Sequence, residues 1–223
     1  MLKGTLLVGA VADGAGSAPH GDQGAQVAAR RAVETLAESA CNLKPSDDDD
    51  QWNRLLLSAM EVARGYVGVS AAVRNKPARQ LATTLILFAA MPDMVAAAQI
   101  GDGAIVLQDQ GGKVRSLTCP QSGEYINTTT FLVSPDAFKS VQHKIWRGAY
   151  TSIAALTDGL QMLALTMPEG LPHPQFFAPL FAFLDNARNT DEAVAELDSF
   201  LRSEKITNRA DDDLTLMLAT ITR

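Results

Sequence analysis

Three aspartates in this sequence stand where an apolar run meets a turn. Asp13 closes the apolar stretch of GAVADGAGS (9–17), and Asp158 closes that of AALTDGLQM (154–162). In RADDDLTLMLATI (209–221) the order is reversed, with Asp212 ahead of the apolar run. If that last run is a strand antiparallel to the other two, all three carboxylates arrive at one edge of a sheet. Carboxylates gathered in this way repel, and they shift their pKa or splay apart unless a cation holds them. With oxygen donors and no His or Cys in the set, the cation should be hard, Mg²⁺ or Mn²⁺ rather than Zn²⁺. Any one Asp-Gly pair also suits a plain turn or cap. Three such aspartates together, each on a strand end, favour the metal reading.

Other chemistries find less support. His20, His143 and His173 are scattered, and each reads as a surface histidine before a ligand or base. No G-x-S-x-G elbow is present. The stretch GAGSAP starts like a dinucleotide-binding fingerprint, but Pro19 stands where its third glycine should be. No G-x-x-x-x-G-K-[ST] loop occurs.

The elements that must position the aspartates follow from periodicity. Residues 4–12 read as a strand buried on both faces. Asp22 can cap a helix with apolar positions at Ala25, Ala28, Ala29, Ala32, Val33 and Leu36. The acid run PSDDDD (45–50) is a solvated loop ending in a cap at or near Asp50. A second amphipathic helix carries Trp52, Leu55, Leu56, Ala59, Ala63 and Tyr66. From residue 82 short strands separated by Pro92-Asp93, Gly101-Asp102-Gly103 and Gly111-Gly112 predict an antiparallel meander. Residues 119–150 are polar and irregular, a candidate functional loop. TSIAALT is a strand, helices follow near 174–188 and 190–204, the second capped by Thr190, and LTLMLATIT is a strand. Helix pairs on either side of packed sheets make an α+β sandwich the expected fold class.

The 223 residues suit one domain spanning 1–223, and 47% apolar residues can fill a core. A net charge of -6 with no basic stripe argues against nucleic acid as a partner. No apolar run reaches about 18 residues, so no membrane span is expected. Two cysteines without ligand spacing suggest a reducing cytoplasm as the location.

The stretches VADGAGS, ATTLILF, QIGDGAIVL, ALTDGLQ and DDDLTLMLA, in that order, resemble the metal-dependent protein phosphatases of the protein phosphatase 2C family, in particular its compact bacterial branch. The resemblance implies a sandwich of two antiparallel β-sheets flanked by pairs of helices. It implies that Asp13 bridges two Mg²⁺ or Mn²⁺ ions, that the Gly14 carbonyl helps to hold one of them, and that Asp158 and Asp212 ligate the other. Asp102 would then support a third, weaker cation, or else simply form a tight hairpin turn. The implied activity is hydrolysis of phosphoserine or phosphothreonine in proteins by a metal-activated water, without a phosphoenzyme. A phosphorylated protein is the implied substrate and a cognate Ser/Thr kinase a partner.

Asp213 stands where the family usually has Asn, and Ala15 where many eukaryotic members carry a histidine proposed as general acid, a role open to His20. The family's first motif, an acidic segment with a phosphate-binding arginine in some members, has no counterpart before residue 4, so the family's N-terminal strands are expected to be missing. An alternative function is a catalytically weak phosphatase-like module that binds a kinase or signalling partner. Phosphorylated metabolites are a third class of substrate.

Overall fold

A computed structural model describes residues 6–41, 43–44, 47–121, 129–210 and 212–221. The chain begins with β1 (Leu7–Val11), then α1 (Gly21–Ser39) and α2 (Asp49–Val73). Next come β2 (Leu85–Met91), β3 (Met94–Ile100), β4 (Ala104–Asp109), β5 (Val114–Thr118), β6 (Gln142–Arg147) and β7 (Tyr150–Leu156). A short α3 (Gln161–Ala164) and the two-residue strands β8 (Leu165–Thr166) and β9 (Leu171–Pro172) precede α4 (Pro174–Asn186). The rest is α5 (Thr190–Leu201), α6 (Glu204–Thr207) and β10 (Leu216–Thr220).

Two four-stranded sheets form, ordered β1-β2-β3-β6 and β10-β7-β4-β5, and every described pairing is antiparallel. Side chains alternate between the faces of a strand, so β2 and β3 supply two cores at once. Leu85, Leu87, Ala89, Met94, Ala96 and Ala98 face α1 and α2. Ile86, Phe88, Ala90, Val95 and Ala97 face the second sheet, meeting Ile105, Leu107, Ile153 and Ala155. The far side of that sheet packs Val106, Ala154 and Leu156 under Phe177 and Phe181 of α4. The layers therefore run helices, sheet, sheet, helices, as the sequence predicts for an α+β sandwich.

Several local expectations are corrected. The run of strands from residue 82 is not one meander. Gly101-Asp102-Gly103 carries the chain from β3 in one sheet to β4 in the other, so Asp102 lies on a crossing and not in a hairpin. Residues 119–150 are not all loop, since β6 lies within them and pairs with β3; residues 122–128 fall outside the described set. The first helix starts at Gly21 with His20 at the cap position, leaving Asp22 in its first turn. The cap position of α2 is Asp48, and Asp49 and Asp50 are its first-turn acids. Asn189, not Thr190, caps α5, its side chain accepting from the N–H groups of Asp191 and Glu192. Tyr66 is partly exposed on α2 and stacks under Arg31, while Met60, Val67 and Ala71 complete the buried stripe. By length and composition α2 could cross a membrane. In the fold that stripe is buried against α1 and β3, as in a core helix.

Candidate metal centre

The backbone around Asp13 is tied down before its side chain is considered. Its N–H donates to Thr84 Oγ1 at 3.0 Å, and its carbonyl accepts from Thr83 Oγ1 and from the Thr84 N–H, each at 2.8 Å. Ala15 N–H donates to the Ala82 carbonyl at 2.9 Å. Gly14 lies against the first residue of α1 so closely that a Cβ there would come within 2.2 Å of the Gly21 carbonyl carbon. These contacts fix where β1 releases its carboxylate.

The other two aspartates come from neighbouring strands of the second sheet. Asp158 follows β7 and Asp212 precedes its antiparallel partner β10. Thr157 and Thr215 stitch the two segments together: Thr157 N–H donates to the Thr215 carbonyl, and Thr215 N–H to Thr157 Oγ1. Gly159 permits this closeness, since a Cβ would sit 2.4 Å from the Asp213 carbonyl oxygen. The Asp212 carboxylate accepts from the Asp213 N–H at 2.8 Å.

One carboxylate oxygen from each of Asp13, Asp158 and Asp212 lies within 4.8 Å of the others. The three meet at the ends of two sheets rather than along the edge of one, which refines the sequence expectation. All five residues singled out from sequence, Asp13, Gly14, Asp102, Asp158 and Asp212, line one cleft of about 180 Å³. His20, His143 and His173 do not line it.

Burial, together with a hydrogen bond to Asp158 and the charges of Asp158, Asp212 and Asp213, pushes the Asp13 carboxyl up to about 8. Burial also raises Asp102, as do the charges of Asp158 and Asp212, while a hydrogen bond from Thr129 opposes the rise. Oδ1 of Asp158 is buried without a hydrogen-bond partner. A hard divalent cation fits this donor set. Oxygens on one Mg²⁺ lie up to roughly 4.2 Å apart at its usual bond lengths, so three oxygens all within 4.8 Å of one another need only small movements to converge on a cation, which would also satisfy the orphaned Asp158 oxygen.

Sequence reasoning assigned no role to the residues that hold Asp102. Thr129 Oγ1 donates to Asp102 Oδ2 at 2.5 Å, and the Gln161 side-chain amide donates to the Asp102 carbonyl. Thr83 and Thr84 were visible within ATTLILF, and two hydroxyls at the start of an otherwise apolar strand were the available signal.

Residues 1–202 match the family described as Protein phosphatase 2C. Serine/threonine-protein phosphatase 3 of Escherichia coli (strain K12) is 33% identical over 216 residues, which is 96% of this chain and 83% of that protein. A crystal structure of a bacterial serine phosphatase aligns with a TM-score of 0.62 at 16% identity, over 97% of this chain and 86% of the other. That of RsbX in complex with magnesium aligns with a TM-score of 0.53 at 18% identity, over 100% and 84%. The structural likenesses establish the fold.

Proposed function

The chain belongs to the protein phosphatase 2C family and is a serine/threonine protein phosphatase, and on that premise we propose that Asp13, Asp158 and Asp212 hold its catalytic cations. The convergence of these carboxylates within 4.8 Å carries the assignment. The family is metal-dependent, and the fit of the donor set to a hard ion supports Mg²⁺ or Mn²⁺ at a two-ion site. Bound there, the cations would supply an activated water and positive charge against the phosphoryl oxygens.

The chain's own residues do the positioning. Asp13, clamped by Thr83 and Thr84, spans between the two sheets, with the Gly14 carbonyl beside it. Asp158 and Asp212 approach from the opposite sheet and fix the far side. Asp102, half-buried in the same cleft and held by Thr129, would support a third, weaker ion. Among the described residues no Cys, Ser or His lines the cleft, and Thr84 and Thr129 are hydrogen-bonded to Asp13 and Asp102. That lining favours direct attack by water over a covalent intermediate. A module built only to bind a partner has no need of such a carboxylate cluster.

Hydrolysis of 4-nitrophenyl phosphate and of a phosphothreonine peptide, with and without Mn²⁺, tests the assignment. We expect turnover of both substrates that disappears with a chelator and returns with Mn²⁺. Metal-independent turnover would sink it.

A further inference from the structure

The carboxylate cleft adjoins a larger groove of about 540 Å³. The two meet at Phe131, which lines both, and where Gly16 of the cleft passes to Ser17 of the groove. Arg79 and Gln80 form one wall, and Val133 and Pro135 belong to another. Among the described residues, Arg79 is the one charged residue lining the groove. Its side chain is exposed, and among the described residues no carboxylate forms an ion pair with it.

The turn that bears Arg79 is anchored to the metal loop. The Gln80 carbonyl accepts from the His20 N–H and the Ala82 carbonyl from the Ala15 N–H, both at 2.9 Å. The Leu81 carbonyl lies against α1, where a Cβ on Gly24 would come within 2.1 Å of its oxygen. The opposite wall hangs from the same segment, through Leu132 N–H to the Thr83 carbonyl at 2.8 Å. Arg79 is therefore carried by a backbone fixed relative to Asp13, a short way along the surface from the reacting position. It does not line the carboxylate cleft, which separates it from the phosphoryl group itself.

A guanidinium presents a planar fork that matches a carboxylate. Held in a neutral, partly apolar groove beside a metal site, it suits the polypeptide on one side of the scissile phosphate. Resting on the phosphatase assignment, we infer that this groove takes the substrate chain flanking the phosphoresidue and that Arg79 reads an acidic side chain in it.

The test compares kcat/KM, in Mn²⁺, for phosphothreonine peptides that carry Glu or Lys at the positions flanking the phosphoresidue on either side. An exposed ion pair corresponds to a preference of up to about fivefold. The wild type should prefer Glu on one side by that order, and the preference should shrink as salt is raised. Arg79→Ala should bring the ratio to about one, Arg79→Glu should reverse it, and Arg79→Lys should keep part of it. A wild type indifferent to Glu and Lys would overturn the inference while leaving the phosphatase assignment standing. So would an Arg79→Ala loss that is equal on both peptides and on 4-nitrophenyl phosphate, because Arg79 would then serve the phosphate or the fold. A wild type inert to all substrates would remove both readings.

Discussion

Asp158 has a buried oxygen with no hydrogen-bond partner among the described residues, a situation that costs about 1–3 kcal/mol, more for a charged group. Asp158→Asn removes a charge that the cations need. It should lower aryl phosphate turnover by more than the roughly 10- to 100-fold typical of residues one step removed from a metal, with the circular dichroism spectrum unchanged. Wild-type turnover in saturating Mn²⁺ would contradict the assignment. Thr129→Val should act more gently, by releasing the Asp102 carboxylate that it holds at 2.5 Å. We expect a higher Mn²⁺ concentration for half-maximal activity with little change in kcat, and Thr129→Ser should restore the wild-type curve. Asp13 also sets a pH dependence. Burial first, then its acidic neighbours, raises it to about 8 in the folded chain, against an ordinary value near 4 when unfolded. Between those values the metal-stripped folded chain binds a proton that the unfolded chain does not. Its contribution to stability is therefore present at the acid end and fades as pH rises towards 8. Melting curves in chelator should fall from pH 5 to pH 8, and Mn²⁺, which displaces that proton, should flatten the fall. A metal-stripped melting temperature independent of pH would contradict this picture.

Among the elements, the junction of β7 with β10 is tightly constrained. Gly159→Ala would drive a Cβ to 2.4 Å from the Asp213 carbonyl oxygen, pushing apart the segments that bear Asp158 and Asp212. A loss of about 1–3 kcal/mol is expected for such overpacking, with weaker Mn²⁺ binding, checked by urea melts and metal titration. Gly65→Ala, on α2 with nothing within 4 Å of the added carbon, should instead be neutral or add up to about 1 kcal/mol. The same junction shows what sequence could reveal. Asp158 and Asp212 were legible because an acid abutting an apolar run breaks a local pattern. Thr129 and Gln161 were not, because they reach Asp102 across 27 and 59 residues and no local pattern records it. The passage between sheets at Gly101 was hidden because β2 and β3 are buried on both faces, so their composition does not say which sheet each neighbour joins. β6 was missed because its half-buried Gln-His-Lys start reads as loop. The cap of α1 is displaced by two residues because Asp22 is the better capping type and the His20 side chain makes no cap hydrogen bond, and that of α5 by one because Thr190 adjoins Asn189, the stronger cap.

At the scale of the whole molecule, the carboxylates belong to different sheets, so a bound cation braces the sandwich. At a hundredfold excess over its dissociation constant, a ligand of the folded state adds about 2.7 kcal/mol. In a chain of 223 residues that corresponds to roughly 5–10 °C in melting temperature. Millimolar Mn²⁺ or Mg²⁺ should produce such a rise and a monovalent salt of equal ionic strength should not. Unchanged melting in Mn²⁺ would leave the site without its cations.

The placement of Asp212 ahead of β10 also has a consequence in time. A ribosome delivers Asp13 first, Asp158 much later, and Asp212 last of the three. The sheet of β1 and β2 can assemble before β7 finds β10, yet the carboxylate set stays incomplete until that last pairing closes. Ion capture should therefore follow the pairing of β10 with β7 and report the moment at which it closes.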